Sequence, residues 1–417
     1  MPSGPVLTFN GGSSSWKSAL FELPLPGAAA DAAAAAHSRS QAALTWQRTN
    51  GRARLEAATP GGATIARDVD VERADAVRVL LEAYGELGCD LARTVVAVGH
   101  RIVHGGPHFH ASVRIDDTIV AKLKELEAFA PSHNPVELAG IAAARAALPN
   151  VAQIAAFDTA FHRTLPPVAY AYGGPHEWLS RDIRRYGFHG LSVAYCTERG
   201  ARLLGRDPKT LRLAVAHLGG GCSVTAVRAG ASIDTTMGFT PLDGILMGTR
   251  SGAVDPGIAI YLMRRTAAGT TAWAAADDLE RTLNNQSGLL GLSGVSSDVR
   301  DIVSAQEQGS ERAALALDVF AYRLAASIAS FLPALGGLDA LIFTGGIGEH
   351  ASAVRARVCA RLAACGIVLD AERNENRATD ADIASAASAV RVLVLTAGEE
   401  WFIGRDCARV LMGMSAA

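Results

Sequence analysis

The sequence predicts an α/β protein made of two related halves, and two observations carry that prediction. In the first, a buried strand enters a turn of glycine and serine and leaves as a second strand, at residues 6–18 and again at residues 211–227. In the second, short apolar strands alternate with helical patterns, which is typical of parallel or mixed sheets covered by helices. We therefore expect each half to offer a phosphate-binding turn to a shared cleft.

In the first half, the turn lies between a strand at residues 6–9 and a returning strand that ends at Phe21. Its glycine amides and serine hydroxyls could donate to phosphate oxygens, and Lys17 adds positive charge. An ordinary hairpin with a polar tip is the alternative. The turn is not a Walker A loop, because no glycine precedes Lys17.

The rest of the first half alternates helices and strands. The low-complexity segment 27–36 predicts a surface insertion. Asn134 with Pro135 behind it predicts a clean helix start. The other predicted elements are a helix at 71–87, a strand at 94–98, a helix at 118–130 and a strand at 151–157, followed by loops over 160–190.

The second half opens with the 211–227 unit and continues through a stretch rich in glycine, threonine and aspartate at 234–257. Ser310 is predicted to cap a long helix that runs to Leu332. The other predicted elements are helices at 258–265, 351–364 and 399–413, strands at 338–343 and 390–395, and a glycine turn at 344–350.

The composition limits the function classes. The 417 residues suffice for two or three domains, and a net charge of −2 gives no reason to expect a nucleic-acid partner. We find no charge-free and glycine-free stretch long enough to span a membrane, and no basic-then-apolar leader pattern. The six cysteines form no CxxC pair, which fits reduced thiols. We expect a cytoplasmic, enzyme-sized protein without a membrane partner.

Charged residues follow several predicted strands, where α/β proteins bind ligands. Arg101 could bind an anion or form a structural salt bridge. Asp158 could orient a nucleophile, hold a metal or cap a turn. His189 and Arg250 are framed by glycines, although a lone loop histidine can simply be solvated.

Two further features bear on metals and phosphate. The histidines at 100, 104, 108 and 110 suggest zinc, but no HExxH motif or cysteine pairing supports it. The glutamates 399 and 400 could hold Mg²⁺ through water or be solvated surface. Glycine turns, framed arginines and candidate metal carboxylates together indicate phosphoryl transfer, which needs charge neutralisation and alignment rather than covalent chemistry.

Seven motifs in order over nearly the whole chain resemble those of the acetate kinase family. They are NGGSSSWK at 10–17, GHRIVHGG at 99–106, FDTAFH at 157–162, RYGFHG at 185–190, HLGGGCS at 217–223, MGTRSG at 247–252 and FTGGIGE at 343–349. The resemblance implies a homodimer with the duplicated actin-like (ribonuclease H-like) ATPase fold, with two lobes and a central cleft. It also implies reversible, Mg²⁺-dependent (or Mn²⁺-dependent), direct in-line phosphoryl transfer from ATP to acetate, giving acetyl phosphate and ADP.

The resemblance also implies roles for individual residues. The catalytic group is Asp158, Arg101, His189, Arg250 and His133. The acyl substrate would be bound by Arg101, Val103, Ser132, Phe188 and Pro241. The nucleotide would be bound by Lys17, His217, Leu218, Gly219, Gly220, Gly221, Asp298, Val299, Arg300, Gly346, Ile347, Gly348, Glu349 and His350. Asn10 and Glu399 would hold the metal.

The same resemblance implies a division of the chain into an acyl-binding lobe at 1–160, completed by 396–417, and a nucleotide-binding lobe at 161–395. Ser132 stands where relatives commonly have an apolar residue and His350 where they have asparagine, and the tail around Glu399 also departs from the family pattern. A propionate or other short-chain acyl kinase is therefore the nearest alternative.

A non-catalytic ATPase module is a second alternative, against which the three cationic residues Arg101, Arg250 and His189 argue. For Asp158 the chemistry of the substrate is informative. A carboxylic acid with a pKa of about 4 is already ionised at neutral pH, so no general base is needed. We predict that Asp158 positions an arginine or Mg²⁺ rather than removing a proton.

Overall fold

The computed structural model describes residues 4–12, 15–22, 38–46, 52–131, 133–265, 271–376 and 380–414. The chain divides into two compact units. The first unit comprises Met1–Phe161, His189–Ser192 and Gly398–Ala417, and the second comprises His162–Phe188 and Val193–Ala397. Each unit holds one sheet with helices, so the predicted α/β class is confirmed. The predicted insertion at 27–36 lies outside the described residues.

The first unit contains an eight-stranded mixed sheet in the order β5-β4-β3-β2-β1-β6-β8-β7. The predicted hairpin of β1 and β2 is confirmed, and β6 pairs in parallel with both β1 and β8. The strands are β1 Val6–Gly11, β2 Ser15–Phe21, β3 Ser38–Trp46, β4 Ala53–Ala58, β5 Thr64–Val69, β6 Ala97–Ile102, β7 Val113–Arg114 and β8 Ala152–Phe157. The carboxyl ends of β1, β6 and β8 therefore meet at one edge of the sheet.

The helices up to residue 203 are α1 Ala76–Glu86, α2 Leu91–Thr94, α3 Asp117–Glu125, α4 Asn134–Ala147, α5 Pro167–Tyr170, α6 Glu177–Ser180 and α7 Gly190–Leu203, with 3-10 turns at Arg73–Asp75, Leu126–Phe129 and Ala160–Thr164. The predicted start of α4 at Asn134 is confirmed. The predicted helix at 118–130 is shorter than expected, because the α-helix ends at Glu125 and a 3-10 turn follows.

The strand predicted at 94–98 is wrong in its bounds. Asp90 accepts a hydrogen bond from the Arg93 amide and caps the short helix α2, which occupies Thr94. The strand β6 begins at Ala97 and continues through Arg101 to Ile102. Arg101 therefore lies within a strand, paired with Ala156 of β8, rather than in the loop after it.

The second unit contains a six-stranded sheet in the order β11-β10-β9-β12-β14-β13. The strand β12 lies parallel to both β9 and β14, and β9 forms an antiparallel hairpin with β10. The strands are β9 Arg212–Leu218, β10 Cys222–Arg228, β11 Ala231–Thr235, β12 Ala340–Thr344, β13 Ala381–Asp382 and β14 Arg391–Val394. The predicted unit at 211–227 is thus confirmed as strand, glycine turn and strand.

The remaining helices are α8 Pro256–Arg264, α9 Ala272–Asn285, α10 Gly288–Ser293, α11 Val299–Glu307, α12 Glu311–Ser330, α13 Leu332–Leu335, α14 Gly345–His350, α15 Ser352–Arg361, α16 Ala371–Glu375 and α17 Glu399–Leu411, with 3-10 turns at Pro208–Thr210 and Ala363–Cys365. The glycine turn predicted at 344–350 is wrong as a turn, because Gly345–His350 forms a short helix.

The long helix α12 begins as predicted, since the Ser310 hydroxyl accepts a hydrogen bond from the Ala313 amide at 3.3 Å. The segment Glu311–Leu335 is long and apolar enough to meet a length-and-composition test for a membrane span. However, Leu317 and Phe320 are buried within the unit, and Asp318 forms an ion pair with Arg357. These features are those of a core helix.

Helix α17 brings the end of the chain onto the first sheet, where it contacts β1 and β6. Gly99 permits this approach, because a Cβ atom there would collide with the side chains of Ile403 and Cys407. The first two residues of this helix, Glu399 and Glu400, consequently lie beside the carboxyl end of β1.

Candidate active site

Four predicted site residues of the first unit form one hydrogen-bonded network. Arg101 donates from Nε and Nη2 to both oxygens of Asp158, with an Nη2–Oδ2 distance of 2.5 Å. Its Nη1 donates to the Asn10 side-chain oxygen at 3.2 Å and to the Gly11 carbonyl at 2.7 Å. The Asp158 side chain is fully buried, and that of Arg101 is 10% exposed.

The Asn10 side-chain nitrogen donates hydrogen bonds to two carboxylates of α17. It lies 2.7 Å from Glu399 Oε2 and 3.0 Å from Glu400 Oε1. The first turn of α17 therefore adds two carboxylates to the network. Glu400, a possible Mg²⁺ ligand from the sequence that the family resemblance did not include, lies within hydrogen-bond distance of Asn10.

Charge and burial act against each other in this network. Burial lowers the pKa of Arg101, but the carboxylates of Asp158, Glu399 and Glu137 raise it more, so that the pKa lies above its ordinary value. Burial raises the pKa of Asp158, although Arg101 pulls it in the opposite direction. Asp158 accepts in all of its contacts with Arg101, so the geometry is that of a carboxylate held by a guanidinium.

The backbone around His189 also faces Asp158. The His189 amide donates to the Asp158 carboxylate, and the Gly190 amide donates to the Asp158 carbonyl at 2.9 Å. His189 adopts φ = +59°, a left-handed conformation that a non-glycine residue adopts only where its surroundings hold it. Asp158 thus fixes both the side chain of Arg101 and the chain direction at His189.

Val103, which is predicted to bind the acyl group, lies two residues after Arg101. Val103 is buried, and its amide donates to Glu137 of α4, at 3.1 Å from Oε2 and 3.3 Å from Oε1. His133 is the residue before α4 and is partly buried. Ser132 lies outside the described residues, so the structure gives no position for the side chain that departs from the family pattern.

Lys17 lies on β2 directly opposite Asn10 on β1. Cross-strand partners present their side chains on the same face of a sheet, so Lys17 shares the face of Asn10. Lys17 is exposed, whereas Asn10 is 5% exposed. The serines at the tip of this hairpin, Ser13 and Ser14, lie outside the described residues.

Two of the four histidines that suggested zinc, His100 and His104, have other partners. His100 Nε2 lies 2.8 Å from Gln153 Oε1, and burial lowers the pKa of His100 to about 4. His104 Nδ1 accepts a hydrogen bond from the Gly106 amide. Across the described ranges, no group of three or more His, Cys, Asp or Glu side chains is arranged to hold a metal ion.

In the second unit, the predicted nucleotide residues at 217–221 and 346–350 lie at or just after the carboxyl ends of two adjacent parallel strands. His217 on β9 lies opposite Thr344 on β12. The turn after β9 is closed by a hydrogen bond from the Gly219 amide to the Gly221 carbonyl. Gly345 adopts φ = +76°, and a Cβ atom there would lie 2.8 Å from the Leu218 carbonyl oxygen. Close backbone packing therefore brings the 217–221 turn and the start of α14 together.

Arg250, a predicted catalytic residue, is buried in the second unit beside Pro241, a predicted acyl-binding residue. Its Nη1 lies 3.5 Å from the Pro241 carbonyl and 3.9 Å from Met247 Sδ.

Phe188, another predicted acyl-binding residue, contacts His162 through its backbone. The Phe188 carbonyl accepts a hydrogen bond from His162 Nε2 at 2.9 Å. In the neutral ring the other nitrogen, Nδ1, is then the acceptor for the Ser232 hydroxyl. Burial lowers the pKa of His162 to about 4, which keeps it neutral.

The other predicted nucleotide residues have local structural contacts. Asp298 caps helix α11 by accepting from the Arg300 amide, and it also pairs with the Arg300 side chain at 2.6 Å. Glu349 accepts from the Ala397 amide at 3.2 Å. His350 is exposed. None of these contacts brings Asp298 or Arg300 to the glycine turns in the part of the chain that the structure describes.

Three residues of this region have contacts that the sequence did not reveal. Glu137 lies four residues after His133, a spacing that places two helical residues on one face, and this was its only sequence signal. Glu400 was visible beside Glu399 but could not be distinguished from solvated surface. His162 was part of a quoted motif, yet its partners Ser232 and Phe188 are distant in sequence.

Comparison with known proteins supports the family resemblance over nearly the whole chain. The model of the acetokinase family matches residues 5–405. An acetate kinase of Gloeobacter violaceus is 47% identical over 417 residues, covering 96% of this chain and 98% of that protein. One of Acaryochloris marina is 45% identical over 408 residues, covering 96% and 98%.

Solved structures agree with the sequence relatives. The acetate kinase of Porphyromonas gingivalis superposes with a TM-score of 0.83 at 37% identity, covering 98% of this chain and all of that one. A propionate kinase of Francisella tularensis superposes with a TM-score of 0.85 at 35% identity, covering 99% of this chain and all of that one.

Proposed function

From the premise that the chain belongs to the acetokinase family, we propose that it is an acetate kinase, which transfers the γ-phosphoryl group of ATP to acetate and forms acetyl phosphate and ADP reversibly. A carboxylate oxygen of acetate attacks the phosphorus in line while the bond to the ADP oxygen breaks. No proton changes place in this transfer. The observation that carries the proposal is the buried contact network of Arg101, Asp158, Asn10 and Glu399.

Arg101 supplies fixed positive charge for the reacting oxygens. Its contacts with Asp158, Asn10 and Gly11 use four of the five guanidinium N–H groups. Among the described residues, none accepts from the second N–H of Nη2, which leaves this N–H for a substrate oxygen. Since the guanidinium cannot rotate without breaking these bonds, it is preorganised for charge stabilisation.

Asp158 positions Arg101 in this proposal. Both of its oxygens accept from the guanidinium, and acetate arrives already ionised, so a general base has no proton to remove. Arg250 and His189 supply further positive charge or hydrogen-bond donors toward the transferring phosphoryl group. His133, one residue before α4, completes the proposed catalytic group.

The oxygen atoms beside Asn10 fit a divalent cation. Two carboxylates, Glu399 and Glu400, converge on the Asn10 side chain, and Mg²⁺ prefers one or two carboxylates together with substrate phosphates and water. Asn10 and Glu399 would hold Mg²⁺ or Mn²⁺ there. The cation would neutralise charge on the phosphate oxygens.

The two units take separate parts of the reaction in this proposal. The first unit, including α17, binds the acyl substrate. The second unit binds ATP through the turn at 217–221, through the 346–350 segment and through 298–300, with Lys17 of the first unit as a further phosphate ligand. The strand ends of β9 and β12 support this assignment. Glycine-rich segments follow them, with Gly220 and Gly346 exposed, and the backbone amides of such segments suit phosphate oxygens.

Acetate is the proposed substrate, and propionate is the alternative. Val103, Phe188 and Pro241 are apolar residues proposed to enclose the methyl group. One methylene changes pocket binding by only about 1–3 kcal/mol, which keeps propionate as a competing substrate. The solved propionate kinase with a TM-score of 0.85 favours keeping this second candidate.

We further propose a cytoplasmic homodimer. Large apolar side chains are exposed on α8 and α9, among them Ile260 at 52%, Tyr261 at 56% and Trp273 at 82%. Contiguous exposed apolar surface is typical of an interaction site. Light scattering of the purified protein measures the assembly directly, and a monomer would contradict this part of the proposal.

Trapping with hydroxylamine tests the function, because acyl phosphates form coloured hydroxamates. The protein is incubated with Mg·ATP and, separately, acetate, propionate, butyrate or glucose. The proposal predicts the strongest signal with acetate. A maximum at propionate would support the alternative, and no hydroxamate from any acid despite measurable ATP binding would overturn the kinase assignment.

A further inference from the structure

Glu137 is a buried carboxylate that the proposed phosphoryl transfer does not use. It is the fourth residue of α4 and is 3% exposed. Both of its oxygens lie within hydrogen-bond distance of the Val103 amide. A neutral side chain could satisfy a backbone N–H at far lower desolvation cost, so a buried carboxyl group at this place requires an explanation.

Glu137 connects two segments that the proposed function assigns to the acyl site. One is the start of α4, directly after His133. The other is the chain at 103–104, two residues after Arg101. A second hydrogen bond, from Asn134 Nδ2 to the His104 carbonyl at 3.4 Å, links the same two segments. Together these bonds set how far the Val103 side chain lies from the start of the helix.

The electrostatic surroundings of Glu137 contain the charged groups of the active-site network. Burial raises the pKa of Glu137 to about 8, Arg101 and the Val103 amide act to lower it, and Asp158 raises it. Arg101 on β6 and Asp158 after β8 face it from the sheet, Glu399 on α17 acts on the same Arg101, and His133 precedes its own helix. A charge on Glu137 therefore changes the field of the guanidinium that attracts the substrate carboxylate.

We propose that Glu137 is a positioning residue that fixes the acyl-binding segment at Val103 to helix α4, and thereby sets both the discrimination between acetate and longer acids and the attraction of Arg101 for the substrate. This inference rests on the proposed function. It concerns the segment that follows Arg101 and leaves the nucleotide site unchanged.

The positioning role is tested with Glu137→Leu, which removes the acceptor at similar volume, and with Glu137→Gln, which keeps an acceptor oxygen. In Glu137→Leu we expect the acetate-to-propionate ratio of kcat/KM to change by about fivefold or more. The KM for ATP stays within about twofold of the wild-type value. Glu125→Gln, at an exposed position at the end of α3, is the matched control and leaves both values unchanged.

The charge on Glu137 is tested by pH. Glu137 is neutral below its raised pKa and ionised above it, so the wild-type KM for acetate should rise from pH 7 to pH 9, whereas Glu137→Gln should stay flat. If Glu137→Leu does not fold, this comparison alone decides: an equal rise in Glu137→Gln overturns the proposal.

The two levels of inference fail in different ways. An unchanged acetate-to-propionate ratio in folded Glu137→Leu would overturn the role of Glu137 while leaving the kinase assignment intact. A wild-type protein that forms no hydroxamate from any acid would overturn the proposed function itself.

Discussion

The turn after β1 and the turn after β9 share a backbone plan but have different surroundings. Beside the first turn, Asn10 contacts the charged side chains of Arg101, Glu399 and Glu400. Beside the second, Gly345 packs against the backbone of β9, and the Gly219 amide donates to the Gly221 carbonyl within the turn. Charged side chains therefore surround the first turn, where we propose the acyl chemistry, and close backbone packing shapes the second, where we propose nucleotide binding.

Replacing Arg101, which lies beside the first turn, should produce the largest loss of activity. In Arg101→Ala we expect the hydroxamate rate to fall by about 10³-fold, since preorganised positive charge toward a transferring phosphoryl group contributes at that scale. Arg93→Ala, which removes an arginine whose side chain is 86% exposed, is the control and should keep the full rate.

The same substitution tests the ion pair itself. Removing one member of a buried pair destabilises a protein by about 3–5 kcal/mol, because the remaining charge is left uncompensated. Arg101→Ala/Asp158→Ala should therefore recover part of the lost stability in urea denaturation but none of the activity. Recovery of activity in the double variant would contradict the role of Arg101.

Asp158→Asn, in the same network beside the first turn, should cause a smaller loss of activity. The amide keeps one acceptor for Arg101 but loses the charge that holds it, so we expect a rate loss of about 10²-fold. The shape of the pH–rate profile should stay the same. Loss of only the basic limb, with substrate binding intact, would identify Asp158 as a proton acceptor and contradict the positioning role.

Gly345→Ala tests the second turn. A methyl group there must displace the Leu218 backbone and adopt φ = +76°, which costs about 1–3 kcal/mol. We expect ADP binding, measured by calorimetry, to weaken about tenfold, while kcat at saturating ATP changes little. Gly173→Ala is the control, because a Cβ at Gly173 has no neighbour within 4 Å in the described structure. A loss of kcat with unchanged ADP affinity would refute this assignment.

The smallest effect is expected at a structural ion pair of the second unit. Asp339 accepts from the Arg212 side chain at 3.0 Å and from its amide at 2.8 Å, and these bonds lower the pKa of Asp339 to about 2. Its stabilising contribution is therefore present above about pH 4 and is lost as the pH falls toward 2. Asp339→Asn should cost about 1 kcal/mol at pH 7 in urea denaturation, with unchanged activity. An equal destabilisation by Asp339→Asn at pH 2 would contradict the lowered pKa of Asp339.

Local sequence signals predicted much of the fold. The Ser310 cap and the Asn134–Pro135 helix start depend on neighbours within four residues, and both were correct. The start of β6 was placed too early in the chain, because Asp90 caps a short helix that ends at Thr94 and the strand begins at Ala97. Gly345–His350 was predicted as a turn because glycines are poor helix formers, and packing against β9 overrides that preference.

The candidate site was predictable only in part for a related reason. Asp158 and Arg101 could be proposed because each lies at or near a strand end, which periodicity reveals. Glu137 could not, because its partner Val103 is 34 residues away and the contact exists only after α4 has packed. Family resemblance supplied residue roles, but not the use of four guanidinium N–H groups of Arg101 by neighbouring groups.

The central claim is that the charged network of the first unit, together with Arg250, serves the chemistry, while the glycine turns of the second unit serve nucleotide binding. Calorimetric titration of ADP into Arg101→Ala, in the same preparation used for the hydroxamate assay, tests it most directly. The account predicts an ADP dissociation constant within about threefold of wild type alongside a rate loss of about 10³-fold. ADP binding that is lost in parallel with turnover would contradict it.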